Sequence, residues 1–423
     1  MDTITEQGRK RIERTPVAAL LVIGLILTLS LTIRIPVGDE LVVPGQVKIG
    51  SAVVTIGDLY LVCLASGLVM YSRQIWIPRS PTTLALSGFV IAFLLSAIVN
   101  GLDRPALLEV IQWAEMVVLG ITVGVLLQHE WERQLSLRAL VYIGSLRAVW
   151  SLGYFLVNGY PGRRFDILIE GTAFVVLLGL IAHEGWTRFD LAQVALLATT
   201  ILIGQERKVW VGIVGTTVVM GAVYAFRTRN GYAAILTLIK GTIIAAGFAA
   251  IGLLFVFPPN VQERIFTMVA LFPGIDGQPE FERLYLISTG LEMFLQNPLF
   301  GVGPENWFEA KSIYATKNLI AFEEQTGSDL GPHSILIKIA AETGLIGLFF
   351  FGLLIVRPLR FLGWYLDRTD SSGFHLPLLG LFLFTLAVAS VRAGGFTMRA
   401  YLFLSIGFLL SYEMNSLDRS LRG

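Results

Sequence analysis

Apolar runs recur along this chain from end to end. Each approaches the roughly 20 residues that a helix needs to cross the hydrocarbon core of a bilayer. The runs are continuous rather than alternating, so they do not read as strands of a membrane barrel. In hydrocarbon every backbone donor and acceptor must bond internally, which leaves the helix as the spanning element. The expected fold class is therefore an all-α integral membrane protein. Composition agrees. The 423 residues are 54% hydrophobic and 15% charged, with a mean hydropathy of +0.70, whereas soluble domains average about 45–50% apolar and about 25% charged. The formal net charge is +1. With no basic tail or RNA-binding motif, nothing points to nucleic acid as a partner, and membrane lipids are the expected surroundings. The one cysteine, Cys63, lies inside an apolar run, which excludes a disulfide framework and a cysteine-rich metal site.

Twelve spans are predicted, at residues 16–33, 52–71, 82–99, 106–127, 138–157, 168–184, 189–204, 209–226, 235–257, 335–356, 374–391 and 400–412. The run between 189 and 226 is divided because Gln205, Glu206, Arg207 and Lys208 follow Gly204 and interrupt it. The basic stretch before Pro16 precedes an apolar run without a clear cleavage site, so that run reads as a first span rather than a removed signal. Lys and Arg are more numerous in the segments that lie inside when the N-terminus is cytoplasmic. By the positive-inside tendency both termini are then cytoplasmic.

The chain thus divides into residues 1–257 with nine spans, a large extracytoplasmic loop at 258–334, and three further spans in 335–423. Loops this long are functional or disordered. This one reads as partly helical, since Leu284, Ile287, Leu291 and Leu295 share a helical face between Glu282 and Gln296. Asn297-Pro298 stops that helix, and Gly301-Val302-Gly303-Pro304 supplies tight turns.

Candidate chemistry is sparse. His129, His183 and His375 fall at predicted cytoplasmic ends of spans, and His333 falls on the outer side at the entrance to the tenth. None of the four pairs with another at metal-ligand spacing, so no metal is expected. Histidine is the side chain that ordinarily changes charge around neutral pH, and one beneath a large outer loop suits a general base. Arg163, Arg164, Arg207, Lys208 and Arg283 are predicted on the outer side. Singly, each reads equally well as a residue snorkelling to headgroups. Together they read as an anion site, because guanidinium groups fork onto phosphate oxygens. Lys338 and Glu342 are four apart within the tenth span. The plain expectation is a mutual helix pair that neutralises both charges. The alternative is that Glu342 orients His333 or a sugar.

The stretch Asn297-Pro298-Leu299-Phe300-Gly301-Val302-Gly303-Pro304-Glu305-Asn306-Trp307-Phe308 resembles the outer-loop motif of the O-antigen ligase and polymerase superfamily. His333-Ser334, followed after nine residues by Gly344-Leu345-Ile346-Gly347, resembles the same superfamily's histidine-to-glycine signature. The turn Gln205-Glu206-Arg207-Lys208 resembles its short Ser-Arg element, with Glu206 where Ser is common. Arg283 resembles its loop arginine. The resemblance implies a GT-C-like membrane glycosyltransferase that needs no metal or cofactor. The implied donor is a glycan on a polyprenyl diphosphate carrier, and the implied acceptor is a lipid A core sugar or another glycan. By carry-over His333 is the base and Arg207 and Arg283 grip the diphosphate, with Arg163 and Arg164 a positional extension. Ligase, polymerase and protein-glycosylating branches share these residues, and ligase is the preferred reading. A transporter or flippase is the runner-up from another class. Against it stand the lack of internal repeats and the asymmetry of a single large outer loop.

Overall fold

In the computed structural model the described residues are 17–30, 35–37, 40–42, 46–49, 52–55, 60–66, 80–158, 167–204, 206–227, 278–315, 317–326, 330–366, 375–391 and 396–422. They are helical apart from four short strands and the turns that join elements. Helix α1 (Val17–Ser30) is followed by two antiparallel hairpins, β1 (Ile35–Val37) with β2 (Glu40–Val42) and β3 (Gln46–Ile49) with β4 (Ala52–Thr55). Strand β4 occupies the start of the predicted span 52–71, and among the described residues of that span helix is present at 60–66. Val53, Val54 and Thr55 are β-branched and favour a strand over a helix start, so the first residues of that predicted span are strand rather than helix. The predicted span 235–257 lies outside the described residues.

The bundle continues through α2 (Pro81–Asn100), α3 (Arg104–Leu126), α4 (Glu130–Asn158), α5 (Leu168–Glu184), α6 (Arg188–Gly204) and α7 (Arg207–Arg227). Then come α8 (Gln278–Gln296), α9 (Trp307–Tyr314), α10 (Lys317–Thr326), α11 (Ile335–Leu366), α12 (His375–Val391) and α13 (Phe396–Arg422). The predicted break at Gly204 is where α6 ends, and α7 starts at Arg207. Helix α4 begins eight residues before the predicted span. Glu130 and Glu132 sit in its first turn, where carboxylates complement the helix dipole, and Glu132 accepts from the His129 amide at 2.9 Å. The starts of α2 and α3 are set locally. Ser80 caps α2 by accepting from Thr83 N at 3.0 Å, and Asp103 caps α3 by accepting from Ala106 N at 2.8 Å.

Among the described residues, five helices are long and apolar enough to cross a membrane: Pro81–Asn100, Arg104–Leu126, Glu130–Val157, Lys208–Ala225 and Ile335–Arg360. Helix α2 shows how they sit. Ala85, Phe89, Phe93 and Ser96 are buried on one side, while Leu84, Ile91, Leu95 and Ile98 are exposed on the other. A water-soluble protein rarely leaves such a stripe open; in a bilayer it faces lipid. The protein is a multi-pass membrane protein with a mainly α-helical fold.

Helix α13 packs on α3, α11 on α2, α12 on α5 and α7, and α8 on α11. An aromatic layer fills the centre. Phe89 lies edge-on to Trp113 at 5.1 Å between ring centres, with Phe93 at 5.1 Å, Phe351 at 5.7 Å and Phe403 at 6.2 Å. Small residues let α3 and α13 meet backbone to backbone: a Cβ added to Gly407 would lie 2.6 Å from the Gly120 carbonyl oxygen. At the far end His375 stacks edge-on to Tyr412 at 5.2 Å, and the Arg133 guanidinium lies 3.7 Å over the same ring. His375 is therefore part of the packing at that end.

Candidate active site

The two stretches that carry the sequence motifs are folded against each other. After α8, the Asn297 side chain donates to the Met293 carbonyl at 3.2 Å and to the Tyr314 hydroxyl at 3.1 Å, closing the helix. Residues 298–303 then run along α11. Leu345 N donates to Pro298 O at 2.7 Å, Val302 N to Ala341 O at 2.8 Å and Gly303 N to Glu342 O at 3.1 Å. Helix α11 is broken at this point, because Gly344 adopts φ 65 and ψ −154. The kink releases backbone groups of α11, and the loop bonds them. Ser96 of α2 adds a hydroxyl 2.6 Å from both Phe300 O and Glu342 O.

This contact explains the glycines. Gly344 lies in a region of backbone space open essentially to glycine alone, and a Cβ there would sit 2.5 Å from the Leu299 carbonyl. Gly301 also has positive φ and lies against the α11 backbone at Thr343. Gly344→Ala is expected to lower stability in detergent by at least ~1–3 kcal/mol, the usual size of such backbone strain. It should also open residues 297–303 to protease. Gly352→Ala is the matched control, since no atom lies within 4 Å of its added Cβ. Equal melting curves for the two variants would contradict the clasp.

Beside the clasp is a buried charge cluster. The Lys338 ammonium on α11 lies 2.7 Å from Glu305 Oε1, 3.1 Å from Glu109 Oε1 and 3.6 Å from Glu342 Oε1. Arg399, at the start of α13, lies 2.8 Å from Glu109 Oε1, and its guanidinium sits 4.4 Å over Trp113. Trp113 donates to Glu109 at 2.9 Å. Glu109, Lys338, Glu342 and Arg399 are all buried. Charges in such a place are held by partners from different helices rather than by lipid. The pair expected from helix spacing, Lys338 with Glu342, is the longest of the three contacts. At 3.6 Å it is an ion pair without a hydrogen bond. Glu305 is the non-glycine residue with positive φ, at 61, among the described residues. It holds that conformation while its carboxylate anchors the loop to Lys338.

The candidate residues fall as follows. His333 is half-buried and lies just before α11. Arg283 is exposed, on the first half of α8. Gly290 of α8 packs on Ile337 of α11 and Pro298 bonds Leu345, so the two chain segments run side by side in the same direction. Their beginnings, with Arg283 and His333, therefore share one end of the pair. Arg207 starts α7, and its side chain lies outside the described residues. Helix α7 meets Gly171 near the start of α5 through Val209, and the last turns of α12 through Gly212. Since α12 leads directly into the start of α13, the Arg207 backbone is at the same end of the bundle as the charge cluster. Lys208 pairs with Glu206 at 3.1 Å. Arg163 and Arg164 lie outside the described residues. Glu342 stands nine residues below His333, roughly 13 Å of helix, and its carboxylate faces Lys338. That is too far for it to orient the imidazole by a direct hydrogen bond.

Sequence reasoning missed Glu109, Glu305 and Arg399. A signal was present for two of them, since Glu109 and Arg399 are charges within or at the edge of predicted spans.

Residues 192–352 match the family model described as O-Antigen ligase. The match takes in Arg207, Arg283, the loop clasp, His333 and Gly344, and it supports the O-antigen ligase and polymerase superfamily that the motifs resemble. Among curated proteins no significant match is found.

Proposed function

We propose that this protein is a glycosyltransferase of the cytoplasmic membrane that moves a glycan from a polyprenyl diphosphate carrier to an acceptor hydroxyl at the outer face. The observation that carries the reading is the family match across one continuous stretch, 192–352, together with the folding of its motif loop onto the helix that His333 introduces. In this reading the donor enters sideways from the outer leaflet. Arg207 and Arg283 hold the diphosphate, Arg163 and Arg164 extend the anion site, and Lys208 contributes through its place beside Arg207. His333 takes the proton from the acceptor hydroxyl, whose oxygen attacks the anomeric carbon in line. The bond from that carbon to the diphosphate oxygen breaks, the configuration inverts, and polyprenyl diphosphate leaves with the electron pair. Fixed guanidinium groups stabilise the charge that develops on the leaving group. Holding donor and acceptor aligned contributes up to roughly 7–11 kcal/mol. No metal or cofactor takes part in this scheme. The preferred acceptor is a lipid A core sugar; a second repeat unit, as in a polymerase, uses the same residues.

The direct test uses purified protein in detergent with a lipid-linked glycan and an acceptor. Release of free polyprenyl diphosphate is expected, coupled to acceptor growth. Arg283→Gln should weaken donor binding and raise the donor KM by about 10-fold or more, since a charge-assisted contact is worth about 1.5–3 kcal/mol. Transport of an unmodified lipid-linked glycan across vesicles, without cleavage, would replace the transferase by a carrier.

A further inference from the structure

Helix α8 is apolar on two opposite sides. Leu286 and Met293 are buried, with Trp307 and Ala341 in the same cluster. On the other side Leu284, Ile287, Leu291 and Leu295 are 59, 42, 47 and 60% exposed. At 3.6 residues per turn these four form one stripe facing away from the packed side. A helix in an aqueous loop gains nothing from a second apolar face.

The depth of the segment explains the stripe. The turn after α8 bonds Ser96, four residues before the outer end of α2, which is ~6 Å of helix. Glu305 just beyond it binds Lys338, whose other partner Glu109 is five residues into α3, again ~7 Å. Pro298 bonds Leu345, ten residues past the start of α11, or ~15 Å. Three spans therefore put the turn below their own outer ends. Irregular backbone is tolerated at that depth only where protein bonds it, and the hydrogen bonds from residues 298–303 to α11 do so. The stripe is also continuous with a lipid-facing surface. Leu299, 57% exposed, lies beside Leu345, 50% exposed, and Phe349 follows one turn further along α11 at 61%.

We infer that residues 278–314 are not wholly an extracytoplasmic loop but a re-entrant hairpin. Helix α8 descends along α11 with its leucine stripe against the acyl chains of the outer leaflet, the chain turns at 297–306, and α9 leads it back. Glu292 and Gln296, bonded to each other at 3.0 Å, mark the flank where the stripe ends. The inference goes beyond the transferase reading and does not depend on it, because the same geometry would serve a carrier.

The test is depth measurement in lipid nanodiscs without donor or acceptor. In a Cys63→Ala background, single cysteines replace Leu291, Leu295 and Lys317, and each carries an environment-sensitive fluorophore. All three positions are exposed, Lys317 lies on α10 outside the proposed hairpin, and melting curves matching the parent establish folding. Labels at Leu291 and Leu295 are expected to be quenched by brominated phospholipids. Their quenching by aqueous iodide should be at least ~10-fold weaker than at Lys317, since an ion does not enter hydrocarbon. Iodide quenching at Leu291 and Leu295 equal to that at Lys317 would overturn the hairpin. Protection from iodide that arises only when polyprenyl diphosphate is added would assign the stripe to the carrier's tail and also overturn the bilayer assignment.

Discussion

His333→Ala is expected to cut the rate of glycan transfer by about 10²–10⁴-fold, the range that a positioned general base contributes, while donor binding stays near the wild-type value. Two structural facts make the variant interpretable. The side chain is only half-buried, so its removal leaves no large cavity. The first turn of α11 is held by the Ser334 carbonyl, which accepts from Lys338 N at 2.8 Å, and alanine at 333 does not disturb that bond. The rate constant and the donor affinity should therefore separate. His333 acts in this scheme on the acceptor proton, whereas Arg283 acts on the diphosphate. Single-turnover transfer of a labelled glycan gives the first quantity, and equilibrium binding of polyprenyl diphosphate gives the second. His129→Ala is the comparison, since His129 lies at the opposite end of α3 and α4 from the clasp and should leave transfer unchanged. A His333→Ala protein within a few-fold of wild-type turnover would remove the base assignment, because a loss that small is below what proton transfer supplies.

The elements that could be read from the sequence are those fixed locally. Helices α2 and α3 lie close to the predicted 82–99 and 106–127 because an apolar run, a Ser80 or Asp103 cap and a proline in the first turn all act within a few residues. The break at Gly204 and the helix ending at Gln296 were legible for the same reason. What escaped was set by contacts between distant residues. Gly344 stood out only as part of a signature, with nothing local to mark a kink inside a long apolar span, and the approach of Leu299 is what gives that kink a purpose. Lys338 and Glu342 have helix spacing, so local reasoning joins them. The chain instead brings Glu305, 33 positions away, to 2.7 Å and Glu109, from another helix, to 3.1 Å. The sequence did hold one unused constraint. Charges in spans require partners in spans, and setting Glu109 and Arg399 against Lys338 and Glu342 would have pointed to a cluster without naming its geometry. The candidate anion site was legible only as residue types. The starts of α7, α8 and α11 share one end of the bundle, an outcome of tertiary packing that no local motif encodes.

Lys338→Met is expected to be the most damaging single change to the fold, with a loss of about 3–5 kcal/mol or failure to accumulate in the membrane. Methionine fills a similar volume, so the effect isolates charge. Removing the ammonium leaves Glu109 with Arg399 alone, and it strips Glu305 and Glu342 of the cation that each faces. Breaking a buried ion pair from one side costs that much because the remaining charge keeps its desolvation penalty. Neutral partners should then repair part of the loss. Glu342→Gln in the Lys338→Met background removes the most deeply buried of the orphaned carboxylates, 0% exposed, and should recover a measurable share of the lost melting temperature. Glu305→Gln should recover less stability, since its side chain is 37% exposed and reaches solvent. It should still loosen the loop, because Glu305 is the loop's ionic anchor to α11. The measurement is a double-mutant cycle on thermal unfolding in detergent, with protease cleavage at 297–306 as the local readout. Additive losses in the Lys338/Glu342 pair would mean that the two side chains do not interact, and the cluster would then be a coincidence of positions rather than the bolt between the loop and the spans.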